Sequence, residues 1–302
     1  MCDTCGCNIT HGNESLIKPG GKLAKTESGK EAVSVLHSLL SENDHTAKHN
    51  RDHFDANNVL AINLMSSPGA GKTALLEATI KQLGDGLRIA VIEGDLETEN
   101  DAERIRKHGV KAIQIATGSA CHLDAHMIHQ ALHNIDLSEY DVVFIENVGN
   151  LVCPASFDLG QHLNVTLLSV PEGDDKPAKY PVMFRTADLV LISKSDLLPI
   201  LDDFSPESAK KYMHDIASTA PVFEISSKDG TGMPNWIEWI CHSIEDRLAY
   251  LEEHPVAAGN HHHEHTHEHE HAHDHTHEHH HHHEHGHEHK HEHLHAHEEN
   301  IS

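Results

Sequence analysis

The chain has 302 residues, 36 of them histidine, and a net charge of −26 when histidine is counted as neutral. This length is enough for one large α/β domain with a buried core and additional appendages. The strong negative charge disfavours a nucleic-acid partner, because a polyanion would be repelled. The sequence has neither an 18-residue apolar run nor a basic-then-apolar leader, so we expect a cytoplasmic protein that is not inserted in a membrane.

The first segment, residues 1–30, predicts a metal-binding arm followed by a linker. Cys2, Cys5 and Cys7 lie within seven residues of one another. Thiolates at this spacing can close around one soft or borderline metal ion. Removal of Met1 would free an α-amino group as a fourth donor. A disordered terminus with reactive thiols is the alternative.

Residues 31–254 predict one domain in which strands and helices alternate. An amphipathic helix is expected from Lys30 to Asn57, and further helices at 73–83, 98–107, 124–134, 204–219 and 233–252. Seven apolar runs predict strands, at 59–65, 87–93, 110–116, 141–146, 165–170, 187–193 and 222–226. Runs so nearly continuous in apolar residues predict an α/β fold with a doubly wound, mostly parallel sheet covered on both faces. The ligand site of such a sheet lies at the carboxyl ends of its strands.

A phosphate-binding loop is expected between the first strand and the helix that follows it, in Ser66-Ser-Pro-Gly-Ala-Gly-Lys-Thr73. Its glycines let backbone N–H groups turn toward an anion, and the helix N-terminus adds partial positive charge. The Lys72 amine can reach the β- and γ-phosphates, and the Thr73 hydroxyl can ligate Mg²⁺. Ser66 stands where the standard pattern has glycine. The residues expected to bind nucleotide here are Pro68, Gly69, Ala70, Gly71, Lys72 and Thr73.

Two acids at strand ends are expected to act in catalysis together with Lys72. Asp95 ends the second strand, where a carboxylate can hold Mg²⁺ or orient an attacking water. Glu146 ends the fourth strand and precedes Gly149, a pattern that fits a segment sensing the γ-phosphate through the Gly149 N–H. The ordinary alternative for either acid is a solvated loop position.

The segment Ser193-Lys-Ser-Asp196 predicts guanine recognition. Asp196 can accept the hydrogen bonds of both guanine N1–H and the exocyclic amine, which adenine does not offer together. The stem of Lys194 can cover the base plane. The first position of this motif is usually Asn and is serine here. Ser226 and Ser227 resemble the last loop that supports the base, so we expect GTP rather than ATP.

Cysteine and histidine residues that follow the third and fourth strands predict a second metal site. Cys121 and His122 open the helix after the third strand, His126 falls one turn later, and Cys153 follows Glu146 by seven residues. Thiolate and imidazole together suit Ni²⁺ or Zn²⁺. Singly, each residue is more often a packed or solvent-facing side chain.

Residues 255–302 predict a disordered tail. From His261 to His297 histidine alternates with Glu, Thr, Ala and Asp, and such a segment cannot fold by apolar burial. We interpret it as a metal reservoir. An affinity tag is the alternative, but tags are compact histidine runs, whereas carboxylates interrupt this one.

Taken together, the cysteine arm, the phosphate loop, Cys121-His-Leu-Asp-Ala125 and Glu146-Asn-Val-Gly-Asn-Leu-Val-Cys-Pro154 resemble the HypB family of hydrogenase nickel-incorporation GTPases. The resemblance covers residues 31–252 and both metal-binding termini. It implies a homodimeric P-loop GTPase domain of the SIMIBI-like class, which contains signal-recognition and MinD-type proteins. It also implies GTP, Mg²⁺ and Ni²⁺ as ligands, with Zn²⁺ as an alternative metal.

The same resemblance implies partners and metal ligands. Nickel would be delivered to the precursor of the [NiFe]-hydrogenase large subunit, with a HypA-type nickel chaperone as partner. By the family pattern, the tight N-terminal nickel site would comprise Cys2, Cys5 and Cys7. A second site at the dimer interface would comprise Cys121, His122 and Cys153, with His126 as a further ligand.

Two other functions share part of this pattern. A urease-accessory GTPase would have the same fold, but it should carry a Cys-Pro-His motif, whereas Cys121 is followed directly by His122. A nickel storage protein would have the tail as its function, with nucleotide turnover incidental. Deletion of the tail distinguishes a storage protein from a delivery GTPase. The storage protein would lose its function, whereas the delivery GTPase would lose only capacity for nickel.

Overall fold

The computed structural model describes residues 32–95, 100–118 and 120–255, without the side chains of residues 32–39 and Asp95. The Cys2, Cys5 and Cys7 arm and the tail from His261 to His297 lie outside these residues, and their metal binding stays a prediction. The described residues belong to the first of two units, Met1–Ala258, and the second is Gly259–Ser302. None of the described helices has the length and apolar content needed to cross a membrane.

Within the described residues, seven strands form one sheet in the order β3-β2-β4-β1-β5-β6-β7. The strands are β1 (Leu60–Ser66), β2 (Ile89–Asp95), β3 (Lys111–Ala116), β4 (Val142–Glu146), β5 (Leu163–Ser169), β6 (Leu189–Ser193) and β7 (Val222–Ile225). All six neighbouring pairs are parallel, which confirms the predicted doubly wound sheet and makes it wholly parallel. The carboxyl ends of β1, β2, β4 and β6 therefore meet at one edge.

Within the described residues, α-helices precede, connect and follow these strands. They are α1 (Ala32–Ala56), α2 (Lys72–Leu83), α3 (Asn100–Arg106), α4 (Ala125–Leu132), α5 (Lys176–Lys179), α6 (Pro181–Arg185), α7 (Pro206–Asp215) and α8 (Met233–Glu253). The sequence predicted all of them except α5 and α6. Each of these two has a proline in its first turn and is too short to show a helical period, so no apolar repeat could reveal it.

Apolar side chains cover both faces of the central strands. On one face Leu64 and Phe144 pack with Trp236 of α8 in a cluster that also takes in α2. On the other, Ile145 packs with Phe54 of α1 in a cluster that also includes α4. Burial on two faces explains why the strands lack polar alternation in the sequence.

A part-buried polar network joins α1, β1 and α8. The Ala61 N–H donates to Nδ1 of His162 at 2.9 Å, so the proton of this imidazole is on Nε2, which donates to Asp55 Oδ1 at 3.0 Å. Arg247 donates to the same oxygen through Nε at 3.0 Å and also through Nη2. Burial lowers the pKa of His162, which keeps the ring neutral. Asp55 is thus the shared acceptor of two part-buried donors.

Replacing Asp55 with alanine should lower the free energy of unfolding by about 3–5 kcal/mol, because the Arg247 guanidinium would stay mostly buried without its anion. Urea denaturation followed by circular dichroism measures this loss. Glu42→Ala, at an exposed position of the same helix, is the matched control and should be near neutral. Equal midpoints for the two variants would show that the network does not stabilise the fold.

Candidate nucleotide and metal site

The phosphate loop has the conformation that an anion site requires. It runs from Ser66, the last residue of β1, to Lys72, the first residue of α2. Gly69 and Gly71 have φ values of 74° and 99°, in the left-handed region that favours glycine. Gly71 caps α2 without any side-chain hydrogen bond, so the first N–H groups of this helix are directed at the loop. Such N–H groups, with the helix dipole behind them, bind phosphate.

Serine at the glycine position of the motif has a visible role. The Ser66 hydroxyl accepts a hydrogen bond from Lys72 Nζ at 3.2 Å and donates to the Ser67 carbonyl at 2.7 Å. Lys72 is 8% exposed, so its ammonium is fixed inside the loop rather than in solvent. The loop therefore places one cation where the terminal phosphates of a nucleotide would lie.

Glu146 lies directly beside this loop. The Thr73 hydroxyl donates to Glu146 Oε1 at 2.8 Å. Burial raises the pKa of the Glu146 carboxyl to about 7, against the opposing effects of Lys72 and Thr73. Its second oxygen, Oε2, is buried and has no hydrogen-bond partner among the described residues. A hydroxyl and a buried carboxyl oxygen at this position fit a hydrated Mg²⁺.

A single cleft brings most of the predicted phosphate and catalytic residues together. Its lining includes Pro68, Gly69, Gly71, Lys72, Thr73, Glu146 and Gly149, together with Glu93. Glu93 pairs in register with Glu146 on the neighbouring strand and is 2% exposed. Glu93 was not among the predicted site residues, although an acid near the end of an apolar strand is the signal that could have indicated it. Asp95 ends β2 as expected, and its predicted role stays untested because its side chain is not described.

A second cavity next to this cleft holds the predicted base-binding residues. Its lining includes Ala70, Gly71, Lys194, Asp196 and Ser227. The Ser226 hydroxyl donates to Asp196 Oδ1 at 2.9 Å, and this hydrogen bond fixes the orientation of the carboxylate. Lys228 lies 3.4 Å from its other oxygen.

The base-binding segment is tied directly to the phosphate loop. The Ser193 hydroxyl donates to the Ala70 carbonyl at 2.8 Å, and Lys194 Nζ donates to the Gly69 carbonyl at 2.7 Å. Lys194 itself has a φ of 58°, an unusual value for a residue other than glycine. The two recognition segments are therefore held at a fixed distance.

Cys121, His122 and Cys153, here called the inner metal group, converge as predicted. Their donor atoms all lie within 4.8 Å of one another. The two sulfurs are 3.1 Å apart, and the Cys121 sulfur is 3.7 Å from His122 Nδ1. Burial lowers the pKa of His122, which favours the neutral imidazole that binds metals. The ring stacks on Phe157 with 3.9 Å between ring centres.

His126 stands apart from the inner metal group. It is exposed on α4, and its Nε2 lies 2.9 Å from the Gln130 side-chain nitrogen. Among the described residues, Cys121, His122 and Cys153 are the group whose donor atoms already lie within 4.8 Å of one another, and His126 is not part of it. The predicted fourth ligand from this residue stays a prediction.

The segment after β4 links the phosphate loop to the inner metal group. A methyl group on Gly149 would come within 2.7 Å of the Pro68 Cα, so only glycine permits this approach. The Asn147 side chain accepts a hydrogen bond from the Leu123 N–H at 3.2 Å. The Asn150 side chain donates to the Cys121 carbonyl at 3.3 Å. These two asparagines were not among the predicted site residues.

Comparison with known proteins agrees with this geometry. The nucleotide-binding domain of the CobW/HypB/UreG family matches residues 60–224, from β1 into β7. Hydrogenase maturation factor HypB of Azotobacter vinelandii is 50% identical over 216 residues, which cover 72% of this chain and 71% of that protein.

Two solved structures are also similar. The structure of Helicobacter pylori HypB in complex with nickel has a TM-score of 0.65 and 42% identity, covering 68% of this chain and 96% of that one. The structure of Archaeoglobus fulgidus HypB has a TM-score of 0.64 and 40% identity, covering 68% of this chain and 100% of that one. The family domain matches more than half of this chain, and a HypB relative is 50% identical to it. The chain therefore belongs to the HypB family of hydrogenase maturation factors.

Proposed function

We propose that this chain is a GTP-hydrolysing nickel metallochaperone, which binds and delivers nickel for maturation of [NiFe]-hydrogenase. One observation carries this proposal: Gly149, which contacts the phosphate loop, and Cys153, a member of the inner metal group, lie four residues apart in one segment. Relatives described as hydrogenase maturation factors, and a HypB structure solved with nickel, support the same function.

Hydrolysis requires charge stabilisation and positioning rather than covalent catalysis. A water oxygen would bond to the γ-phosphorus as the bond to the β–γ bridging oxygen breaks. GDP would leave with that electron pair, and the proton released by the water would pass to a phosphate oxygen or to solvent. Lys72 and the N–H groups of α2 would stabilise the charge that develops on the phosphate oxygens. Asp95 would orient the attacking water. Thr73 would hold Mg²⁺, and the chemistry supplied by this ion would be neutralisation of negative charge on the phosphates.

Nickel is cargo in this proposal. The inner metal group offers two sulfurs and a neutral imidazole, a donor set that suits Ni²⁺ and also Zn²⁺. The Cys2, Cys5 and Cys7 arm would hold a further ion tightly, and the tail would store several ions weakly. Homodimerisation, a HypA-type partner and the hydrogenase large-subunit precursor complete the proposal, on the basis of family resemblance.

Nickel should change the preference of the protein for a GTP analogue over GDP by about 5–150-fold, the usual range of coupling between two sites. The physical reason is that the segment expected to move with the γ-phosphate also carries Cys153. The experiment measures the affinity for each nucleotide with and without saturating Ni²⁺. Nucleotide affinity is a suitable readout because nickel bound by the tail does not itself contribute to the measured signal.

Cys153→Ala should abolish this dependence while nucleotide binding stays near normal. Cys241→Ala, which removes a thiol of α8, is the matched control and should retain the dependence. Parallel sedimentation runs with GDP and the analogue report dimerisation. A nucleotide preference that is the same with and without nickel would contradict the coupled mechanism, and equal hydrolysis of ATP and GTP would contradict the assignment to GTP.

A further inference from the structure

Four histidines lie together where α1 packs against α4, and they are here called the histidine cluster. His49 and His53 are four residues apart on α1, and His129 and His133 are four residues apart at the end of α4. Residues at this spacing lie on the same face of a helix. Two histidines four residues apart on a helix are a recurrent arrangement for binding one metal ion. Here two such pairs face each other.

The spacing of the rings fits coordination of one ion. Ring centres are 4.7 Å apart for His49 and His53, 5.1 Å for His49 and His129, and 4.8 Å for His129 and His133. The centres of His53 and His129 are 6.2 Å apart. Metal–nitrogen bonds of about 2 Å place the centres of bound imidazoles about 5 Å from each other. Three of these ring pairs meet edge to face and the fourth is tilted. The ring nitrogens do not yet lie within 4.8 Å of one another, so binding of an ion would require rotation about the side-chain bonds.

A buried asparagine, Asn50, sets the protonation of one of these rings so that its other nitrogen can bind a metal. The amide nitrogen of Asn50 donates to the carbonyls of Ala125 and Leu159, at 2.8 and 3.1 Å. The orientation of this amide is thereby fixed, and its oxygen lies 3.2 Å from His129 Nδ1. Because the Asn50 oxygen can only accept, His129 Nδ1 must carry the proton. The lone pair of His129 is then on Nε2, and a hydrogen bond of this kind is the usual support of a metal-binding histidine.

The charge state of the cluster also suits a metal ion. Burial lowers the pKa of His129 to about 4, and repulsion from His133, His49 and His53 acts in the same direction. The ring of His129 is thus neutral at pH 7, as ligation requires. His133 is exposed and His49 and His53 are half-buried, so an ion can reach the cluster from solvent.

We infer that His49, His53, His129 and His133 form a further metal site, which binds one divalent ion of borderline softness, Ni²⁺ or Zn²⁺, and clamps α1 to α4. All-imidazole donors suit either ion. The inference does not depend on GTP hydrolysis. It concerns residues outside the inner metal group and adds a site within the folded domain.

Histidine acylation by diethyl pyrocarbonate, followed by mass spectrometry of the full chain, tests this inference residue by residue. Ni²⁺ alone or Zn²⁺ alone is added in excess over all histidines, so that the tail does not deplete it. At saturation, acylation of the four cluster histidines should fall by about fivefold or more. His214, whose side chain is 91% exposed, should react as before. Unchanged reactivity of the cluster with both metals would overturn the inference.

Two variants separate this site from the others. His133→Ala should remove most of the protection of the other three cluster histidines, whereas His126→Ala, at an exposed position of the same helix, should not. Cys153→Ala should leave the protection intact. If Cys153→Ala abolished it, the protection would come from the inner metal group and the proposed site would be wrong. Hydrogen exchange of α1 should slow on adding metal in the wild type but not in His133→Ala.

Discussion

Lys72→Ala should reduce the rate of GTP hydrolysis by about 10²–10³-fold or more, the usual cost of removing one positioned stabilising group. Lys72 is buried and held by the Ser66 hydroxyl, so a neighbouring lysine could not take its place. A second effect acts in the same direction. Lys72 opposes the burial that raises the pKa of Glu146, so its loss would favour the neutral acid further. Phosphate release under single-turnover conditions measures the rate.

Lys211→Ala is the matched control, because this lysine is exposed on α7, away from the cleft. It should hydrolyse GTP at the wild-type rate. The melting temperatures of both variants should be recorded, so that a folding defect is distinguished from a catalytic one. A Lys72→Ala protein that is folded and as active as the Lys211→Ala protein would exclude the phosphate loop as the site of hydrolysis.

Asp196→Asn should weaken GTP binding by about 100-fold or more and make xanthosine triphosphate the preferred nucleotide. The carboxylate would accept from guanine N1–H and the exocyclic amine, whereas an amide would present a donor to that amine and leave both unpaired. Xanthine has an oxygen at this position, which accepts from the new amide. The Ser226 hydroxyl can donate to an amide oxygen as it does to Asp196 Oδ1, so the side chain should keep its orientation.

Competition binding with the two nucleotides measures the change of preference. Asp203→Asn, an exposed position after the base-binding segment, is the matched control and should retain GTP. A variant that lost GTP without gaining the xanthosine nucleotide would show that Asp196 supports the loop rather than recognising the base. Unchanged GTP affinity in Asp196→Asn would show that the base binds elsewhere.

The features that could be predicted from the sequence are those encoded by neighbouring residues. A parallel strand buried on both faces needs a nearly continuous apolar run, so all seven strands were recognisable. The phosphate loop depends on glycines and a lysine within eight residues, so its conformation could be predicted from this local motif. The family resemblance implies that Cys121, His122 and Cys153 form one site, and the structure brings their donor atoms together, whereas their binding of a metal stays a prediction.

Other features depend on contacts between distant segments. Glu93 becomes part of the cleft only because β2 pairs with β4 in a register that sets it beside Glu146. Asn50 contacts His129, 79 residues further along the chain, because α1 and α4 are packed together. No local sequence pattern predicts the pairing of Glu93 with Glu146 or the contact of Asn50 with His129. The short helices α5 and α6 could not be predicted for a different reason. Four or five residues are too few to show the apolar repeat of a helix.

The Asp55 network has a consequence for the synthesis of the protein. Arg247 follows Asp55 by 192 residues, so a ribosome needs about 10–40 s to reach it after Asp55 has been made. During that time β1 and the phosphate loop can form while α8 does not yet exist. The nascent domain should therefore bind nucleotide weakly, and become fully stable only when α8 leaves the ribosome and its guanidinium joins the carboxylate. Among the helices that the structure describes, the last to be translated thus completes the support of the first.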